Sequence, residues 1–319
     1  MDAKLPTPQT THSRCLPSLT RADSRSRRKP AGRKPLPGID EGLSAQGLVR
    51  VVRAVFPRLN IWLNQLPDPR LAPMCVYTAA HLWWQILGTF LSRTGSRNGF
   101  DQQRLCGAAP WNHGVLCGQG PEDWRFEGQP RVTCSDNAAR HASRVSARSV
   151  AQIPVRMFRV LLERRFFDDA RLGERYYLLI ADGSVKEKCR RGFEAGGKAS
   201  GSARYRYVLQ LSVMGPAGTL FPLMHEEMDV HNPATQKEDC ELKSFQRLSQ
   251  RLKTQFPRLP ICLVADALYG CEPIVALCEQ FDWKYLLTLK EGRQPTTWQE
   301  TLKLLPLHRA NRLRLLLGQ

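Results

Sequence analysis

An α/β domain preceded by an all-helical region is the fold class that the sequence predicts, and three observations predict it. Short apolar runs rich in aromatic and branched residues gather after about residue 170, where they alternate with segments of helical periodicity. Before that point apolar residues recur at helical steps. The hydrophobic share of 42% in 319 residues is that of a chain able to bury a core.

Residues 1–40 mix Ser, Arg and Pro without apolar periodicity and read as a disordered basic tail. Residues 41–170 read as the α-helical region and 171–319 as the mixed domain. Within the first, 42–60 places Leu48, Val51, Val52, Val55 and Phe56 on one helical face. Pro67-Asp68-Pro69-Arg70 reads as a helix entry capped by Asp68. The apolar stretch 71–92 has the length of a membrane span, yet Pro73, His81, Gln85 and a central Trp83-Trp84 pair make a buried helix the better reading. The Gly-, Pro- and Asn-rich text of 93–130 reads as loop, and 143–167 as helix, with Pro154 marking a break or a fresh start.

After residue 170 the expected strands are 176–181, 205–214, 219–224, 260–265 and 284–289, the second and third joined by the turn Gly215-Pro216-Ala217-Gly218. Helices are expected over 235–256 and 272–281. The order is β-β-β-α-β-α-β, which resembles the layout of a ribonuclease-H-like core: a mixed sheet with flanking helices.

A formal charge of +18 favours a polyanionic partner, nucleic acid or an anionic surface, over a neutral one, although a solubilising basic surface gives the same count. Ten irregularly spaced cysteines do not form a secreted disulfide pattern, and the basic N-terminus has no apolar run behind it. A reducing cytoplasm is the expected compartment, with no membrane partner.

Asp182 and Asp266 each end an expected apolar strand and precede a small residue, Gly183 or Ala267, that lets the chain turn away. In an open α/β sheet reactive groups gather where strands end. If their strands are parallel neighbours, the two carboxylates share a cleft and suit Mg²⁺ or Mn²⁺, hard cations that prefer oxygen donors. The plainer reading is that each aspartate caps a turn.

Three blocks sharpen the reading. Leu263-Val264-Ala265-Asp266-Ala267-Leu268-Tyr269-Gly270, continued through Leu277-Cys278-Glu279-Gln280, Trp283-Lys284-Tyr285-Leu286 and Leu289-Lys290-Glu291-Gly292, resembles the second-acid block of bacterial insertion-sequence DDE transposases. Gln236-Lys237-Glu238-Asp239-Cys240-Glu241-Leu242-Lys243, with Phe256-Pro257-Arg258-Leu259-Pro260 after it, is similar to the same group, and Ile180-Ala181-Asp182-Gly183-Ser184 to its first-acid strand. The resemblance spans roughly 65–305. It implies metal-dependent DNA cleavage and strand transfer at insertion-sequence ends, with Asp182 and Asp266 as the first two metal-binding acids and Mg²⁺ or Mn²⁺ as cofactor. DNA ends and target DNA would be the partners of a homo-oligomer associated with the bacterial nucleoid. The family's third acid, a Glu, lies on a helix beyond an inserted segment after the fifth strand. This chain closes on Leu315-Leu316-Leu317-Gly318-Gln319 before such a block, and Glu300 is the nearby helical stand-in. Truncation and weak or absent transposition are therefore expected. The alternatives are a catalytically inactive DNA-binding remnant and a structure-selective nuclease.

Lys186, Lys188, Arg190, Arg191, Lys198, Arg204 and Arg206 cluster between the first two expected strands, beside Gly196-Gly197. A mobile basic loop there would grip phosphates with salt-dependent, sequence-tolerant affinity; a solvated loop is the alternative. Recognition of element ends is assigned to the N-terminal helices. Cys106, His113, Cys117 and Cys134 lack the short pairing of structural zinc sites and read as scattered thiols; Cys262, Cys271 and Cys278 read as core. His225 and His231 read as loop residues near the cleft, with Glu226, Glu227 and Asp229 as edge charges.

Overall fold

The computed structural model describes Gly47 and residues 50–91, 96–118, 132–189, 198–200, 203–228 and 240–304, without the side chains of 186–189, 198–200 and 203–205. These belong to one unit, Ala45–Gln319. The tail 1–40, Arg190, Arg191, Asp229 and His231 lie outside the described residues.

The helical region is built of short pieces. Residues 50–55 are helical, followed by α1 (Leu59–Asn64), α2 (Ala79–Leu91), α3 (Arg97–Gln103), α4 (Ala109–Cys117), α5 (Ser135–Ala142), α6 (Ala147–Val150) and α7 (Gln152–Glu163). Leu59, Trp62 and Leu63 of α1 pack with Ala80, Trp83 and Trp84 of α2 in a core cluster that Ile153 of α7 completes. Asn60 holds the two helices together, accepting from the Trp84 indole at 2.7 Å and donating to the Leu116 carbonyl at 2.6 Å.

Several expectations are corrected here. Val51 is exposed, because the first helix turns away at Pro57 and α1 supplies the buried face. Asp68 opens no helix: it accepts from the Arg70 amide at 3.0 Å and pairs with the Arg70 guanidinium, forming a local turn ahead of a 3-10 segment, Ala72–Met74. The long apolar helix starts only at Ala79 and has 13 residues, and no helix among the described residues is long and apolar enough to cross a membrane. The supposed loop contains α3 and α4. Ser96 caps α3 by accepting from the Gly99 amide at 3.0 Å, Pro110 sits in the first turn of α4, and Gly118 ends α4 at φ 77°. Pro154 marks a fresh start, lying in the first turn of α7.

The mixed domain comprises β1 (Tyr177–Cys189), β2 (Lys198–Ser200), β3 (Ala203–Met214), β4 (Leu220–Glu227), α8 (Glu241–Gln255), β5 (Ile261–Ala265), α9 (Glu272–Gln280), β6 (Lys284–Leu287) and α10 (Pro295–Leu304). The sheet runs β2-β3-β1-β5-β6, with β4 also paired to β3. Since β1 holds one edge of β3 from Arg204 to Val213, β2 and β4 take successive stretches of the other edge. The β1/β3 and β3/β4 pairs are antiparallel, whereas β1/β5 and β5/β6 are parallel.

One face of this sheet is buried with a period of two. Leu179 and Ala181, Leu209, Leu211 and Val213, Leu223, and Ile261, Leu263 and Ala265 share one core cluster with Phe158 of α7, Phe245, Leu248 and Leu252 of α8, and Ile274 and Leu277 of α9. Phe158 is at its aromatic centre, 5.1 Å from Phe167, 5.2 Å from Phe256 and 5.9 Å from Phe221, centroid to centroid.

β1 departs from expectation in the way that matters most. The strand does not end at Asp182. Its antiparallel pairing with β3 continues from Gly183↔Leu209 to Cys189↔Arg204, across a bulge between Val185 and Glu187. Polar side chains past Asp182 hide this continuation from an apolar pattern, but the ladder hydrogen bonds do not depend on side-chain polarity. Lys186, Lys188, Lys198 and Arg204 therefore lie on strands, and the joining segment is shorter than expected. Likewise β4 runs on through His225, Glu226 and Glu227, which are strand residues.

Candidate active site

Asp182 lies on β1 and Asp266 directly follows β5. The parallel register pairs Tyr177 with Ile261 and Ile180 with Val264 and then ends; continued for two residues, it would bring Asp182 level with Asp266. Neighbouring strands lie about 4.8 Å apart. This level is also where the two strands part: pairing with β5 stops at Val264 while β1 continues along β3. Both side chains are exposed.

The two aspartates differ locally. Asp182 is opposite Gln210 of β3, mid-ladder, on the face that alternation turns away from the buried cluster. Asp266 does end its strand. Its Oδ1 accepts from the Leu268 amide at 2.9 Å, so the turn-capping reading holds for this residue, with its other oxygen unused by the turn. Among the described residues neither carboxylate is ion-paired.

Beneath this pair are two residues that the sequence did not single out. Tyr269 is 1% exposed, packed edge-on against Phe245 of α8, and its hydroxyl donates to Glu241 Oε1 at 2.7 Å. Glu241, the first residue of α8, reaches the strand so closely that a Cβ on Gly183 would sit 2.6 Å from its Oε2 and 2.9 Å from its Cδ. Gly183, paired mid-ladder with Leu209, makes no turn and leaves room for the Glu241 carboxylate. Burial, the hydrogen bond to Glu241 and the charges of Glu241, Asp266 and Asp182, in that order, push the Tyr269 phenol far above its ordinary range. Three carboxylates therefore act on one buried hydroxyl, which stays protonated and donates. The signal available in the sequence was Tyr269 three residues after Asp266 in a buried turn, and Glu241 at a helix start.

The donor set fits a hard divalent cation at Asp182 and Asp266: oxygen ligands, exposed, un-neutralised by any described cation, and carried by parallel neighbouring strands. No group of three or more His, Cys, Asp or Glu residues among the described ones is close enough to share one ion. That holds for Cys106, His113, Cys117 and Cys134 as well: Cys106 is exposed, Cys117 buried, and burial pushes the His113 imidazole down to about 4. Glu300 is exposed on α10.

Among the basic residues, Arg206 Nε lies 3.3 Å from Glu227 Oε1, joining β3 to β4. Glu226 accepts from Arg247 and, at 3.2 Å, from Arg251, which fastens α8 to the same strand. These acids of β4 serve structural ion pairs.

No protein-family profile matches the chain, and no curated protein does. Among solved structures, the chain is similar to a piggyBac transposase in a cryo-EM synaptic complex with hairpin DNA. The identity is 10% and the TM-score 0.34, over 80% of this chain and 53% of that one. This chain spans about half the length of that neighbour. A likeness of this size bears on neither the fold nor the activity.

Proposed function

We propose that this chain is a transposase-type enzyme with a ribonuclease-H-like core, cutting and joining DNA strands with Mg²⁺ or Mn²⁺ held by Asp182 and Asp266. The observation that carries the reading is the parallel β1/β5 register, which when continued brings those two residues level where the strands part. The sheet order, with four antiparallel strands followed by two parallel ones across helices, supports it. The blocks that resemble insertion-sequence DDE transposases include residues of β1 and of the β5–β6 region, and Glu241, Leu242 and Lys243 of α8; Gln236–Asp239 lie outside the described residues.

A divalent cation held there would activate an attacking oxygen and stabilise a leaving one on a phosphodiester. The chain's own task is placement. β1 and β5 fix the two carboxylates, the Leu268 amide orients Asp266, and the strands carrying Lys186, Lys188, Lys198, Arg204 and Arg206 supply positive charge for the nucleic-acid backbone. DNA ends, target DNA and assembly of copies on DNA belong to the same proposal.

The test is cleavage of DNA bearing candidate element ends by the full chain with Mg²⁺ or Mn²⁺, wild type against Asp182→Asn, with circular dichroism confirming the fold. Metal-dependent cutting lost in the variant is the expected result. Cutting that survives the substitution would remove Asp182 from the site. A second reading, a silent DNA-binding remnant, is favoured by one observation: no third acid among the described residues shares an ion with the pair. It predicts binding of ends by wild type without any cutting.

A further inference from the structure

β6 stands last in the sheet order, and among the described residues its outer edge pairs with no strand. A parallel strand is ordinarily covered on both faces by the helices of its crossovers. β6 is not. Tyr285 is 41% exposed and Leu286 53%, Lys284 is exposed, and Leu287 is half-buried. Successive side chains alternate, so Tyr285 and Leu286 lie on opposite faces, and both faces are open as well as the edge. α10, which follows, buries none of its residues and leaves Leu302 and Leu304 exposed. Beside the strand opens a cavity of about 270 Å³, with Val275 of α9, Tyr285, Leu287 and Leu289 in its wall.

The plainer reading is a blunted edge, since short strands and lysines are common ways of keeping an edge unpaired. Three apolar residues in succession behind that lysine are the opposite of such protection. Charge indicates what can cover them. The molecule carries +18, yet residues 272–304, from α9 to the end of α10, hold five acids against four bases. This end of the sheet is nearly neutral in a strongly basic protein, so a polyanion gains little here. Two copies of the chain repel each other through their basic surfaces, whereas two copies of this end meet without that repulsion.

A two-fold contact must be self-complementary, and antiparallel pairing of two identical strands meets that condition. The axis sets one residue opposite its own symmetry mate. With Leu286 at that position, Tyr285 of each copy lies opposite Leu287 of the other, and Lys284 opposite Thr288. This register sets all three apolar residues against apolar ones, and such cross-strand pairs are stabilising. We propose that a second copy of this chain covers β6, pairing edge to edge and antiparallel about Leu286, so that two six-stranded sheets become one. The contact requires neither DNA nor the cation site, and it leaves the basic strands of both copies free.

The test is sedimentation velocity of the full chain at micromolar concentrations, without DNA and with EDTA. A species of twice the chain mass that grows with concentration is expected. Leu286→Glu and Leu286→Lys each set like charges opposite one another, and each should raise the dimer dissociation constant at least about tenfold. An equimolar mixture of the two variants sets Glu against Lys and should restore the dimer to near the wild-type level, which general damage to the fold would not do. Leu71→Glu, at an exposed apolar residue of the helical region, should leave dissociation unchanged. Circular dichroism checks the fold. Should neither variant fold, amide exchange of the wild type decides: protection of β6 that rises with concentration supports the pairing, and protection independent of concentration overturns it. A wild-type chain that stays monomeric, a dimer that both variants leave intact, or a mixture that restores nothing also overturns it.

Discussion

Asp266 serves two ends with one side chain, and the two can be separated. Its Oδ1 holds the turn to Leu268, and its carboxylate is exposed at the end of β5. An asparagine keeps the carbonyl oxygen for the turn and loses the charge; an alanine loses both. Asp266→Ala should therefore cost about 1 kcal/mol in urea denaturation, whereas Asp266→Asn should unfold near the wild-type midpoint. Both should lose metal-dependent cutting. Equal stability of the two variants would show that the turn does not need the side chain. The aspartates were legible because each follows an apolar run, a local pattern. Glu241 and Tyr269 were not: their hydrogen bond joins positions 28 apart in the chain, and nothing near either residue announces the other. Gly183 was legible as a glycine and misread in purpose, since turn and close approach ask for the same missing Cβ.

At the scale of elements, amphipathic length decided what could be read. α7 and α8 have 12 and 15 residues and a continuous apolar face; the helix expected over 143–167 is divided between the short α6 and α7, and the one expected over 235–256 contains α8. α3 and α4, with 7 and 9 residues, are defined by their caps more than by a face, and text rich in Gly, Pro and Asn concealed them. The apolar face of α7 carries Phe158, fully buried among Phe167, Phe221 and Phe256. Phe158→Ala should destabilise the protein by about 3–5 kcal/mol, measured by equilibrium unfolding. A loss under about 1 kcal/mol would mean that α7 is not anchored to the sheet by this ring. α4 makes a prediction in pH. Burial, with smaller contributions from His81 and Arg104, lowers the His113 imidazole from 6.5 to about 4. The folded protein thus holds His113 neutral where the unfolded chain would protonate it. This contribution to stability is complete above pH 6.5 and is lost as pH falls towards 4, amounting to ~3 kcal/mol. Urea midpoints should fall between pH 7 and pH 4.5 in wild type and fall less in His113→Asn; parallel curves would exclude His113 as the source.

For the whole molecule, the charge of +18 and the sheet topology bear on the same question: how a polyanion is held beside two carboxylates. The class of fold was legible from the alternation of strands and helices. The length of β1 was not, because beyond Asp182 its ladder is supported by β3 rather than by burial. The basic residues between the first two expected strands therefore need another frame, since Lys186 and Lys188 ride on β1, and Arg204 on β3. Reversing the charge of these three should reduce the dependence of DNA affinity on salt, by a slope of about 0.9 for each phosphate that is no longer neutralised. A log–log plot of unchanged slope would clear them of any part in holding the backbone.

A strand is stiff along its length in a way that a loop is not. Lys188 and Asp182 occupy one ladder with β3, so roughly 20 Å separate them by backbone rise alone. Whatever grips at the far end of this arm is surveyed from the acids by a rigid rule, bent once at the bulge between Val185 and Glu187. On the proposed function, the spacing from grip to cut would be inherited from β geometry. Lengthening both strands by a matched pair of residues would move the incision along the polymer instead of abolishing it.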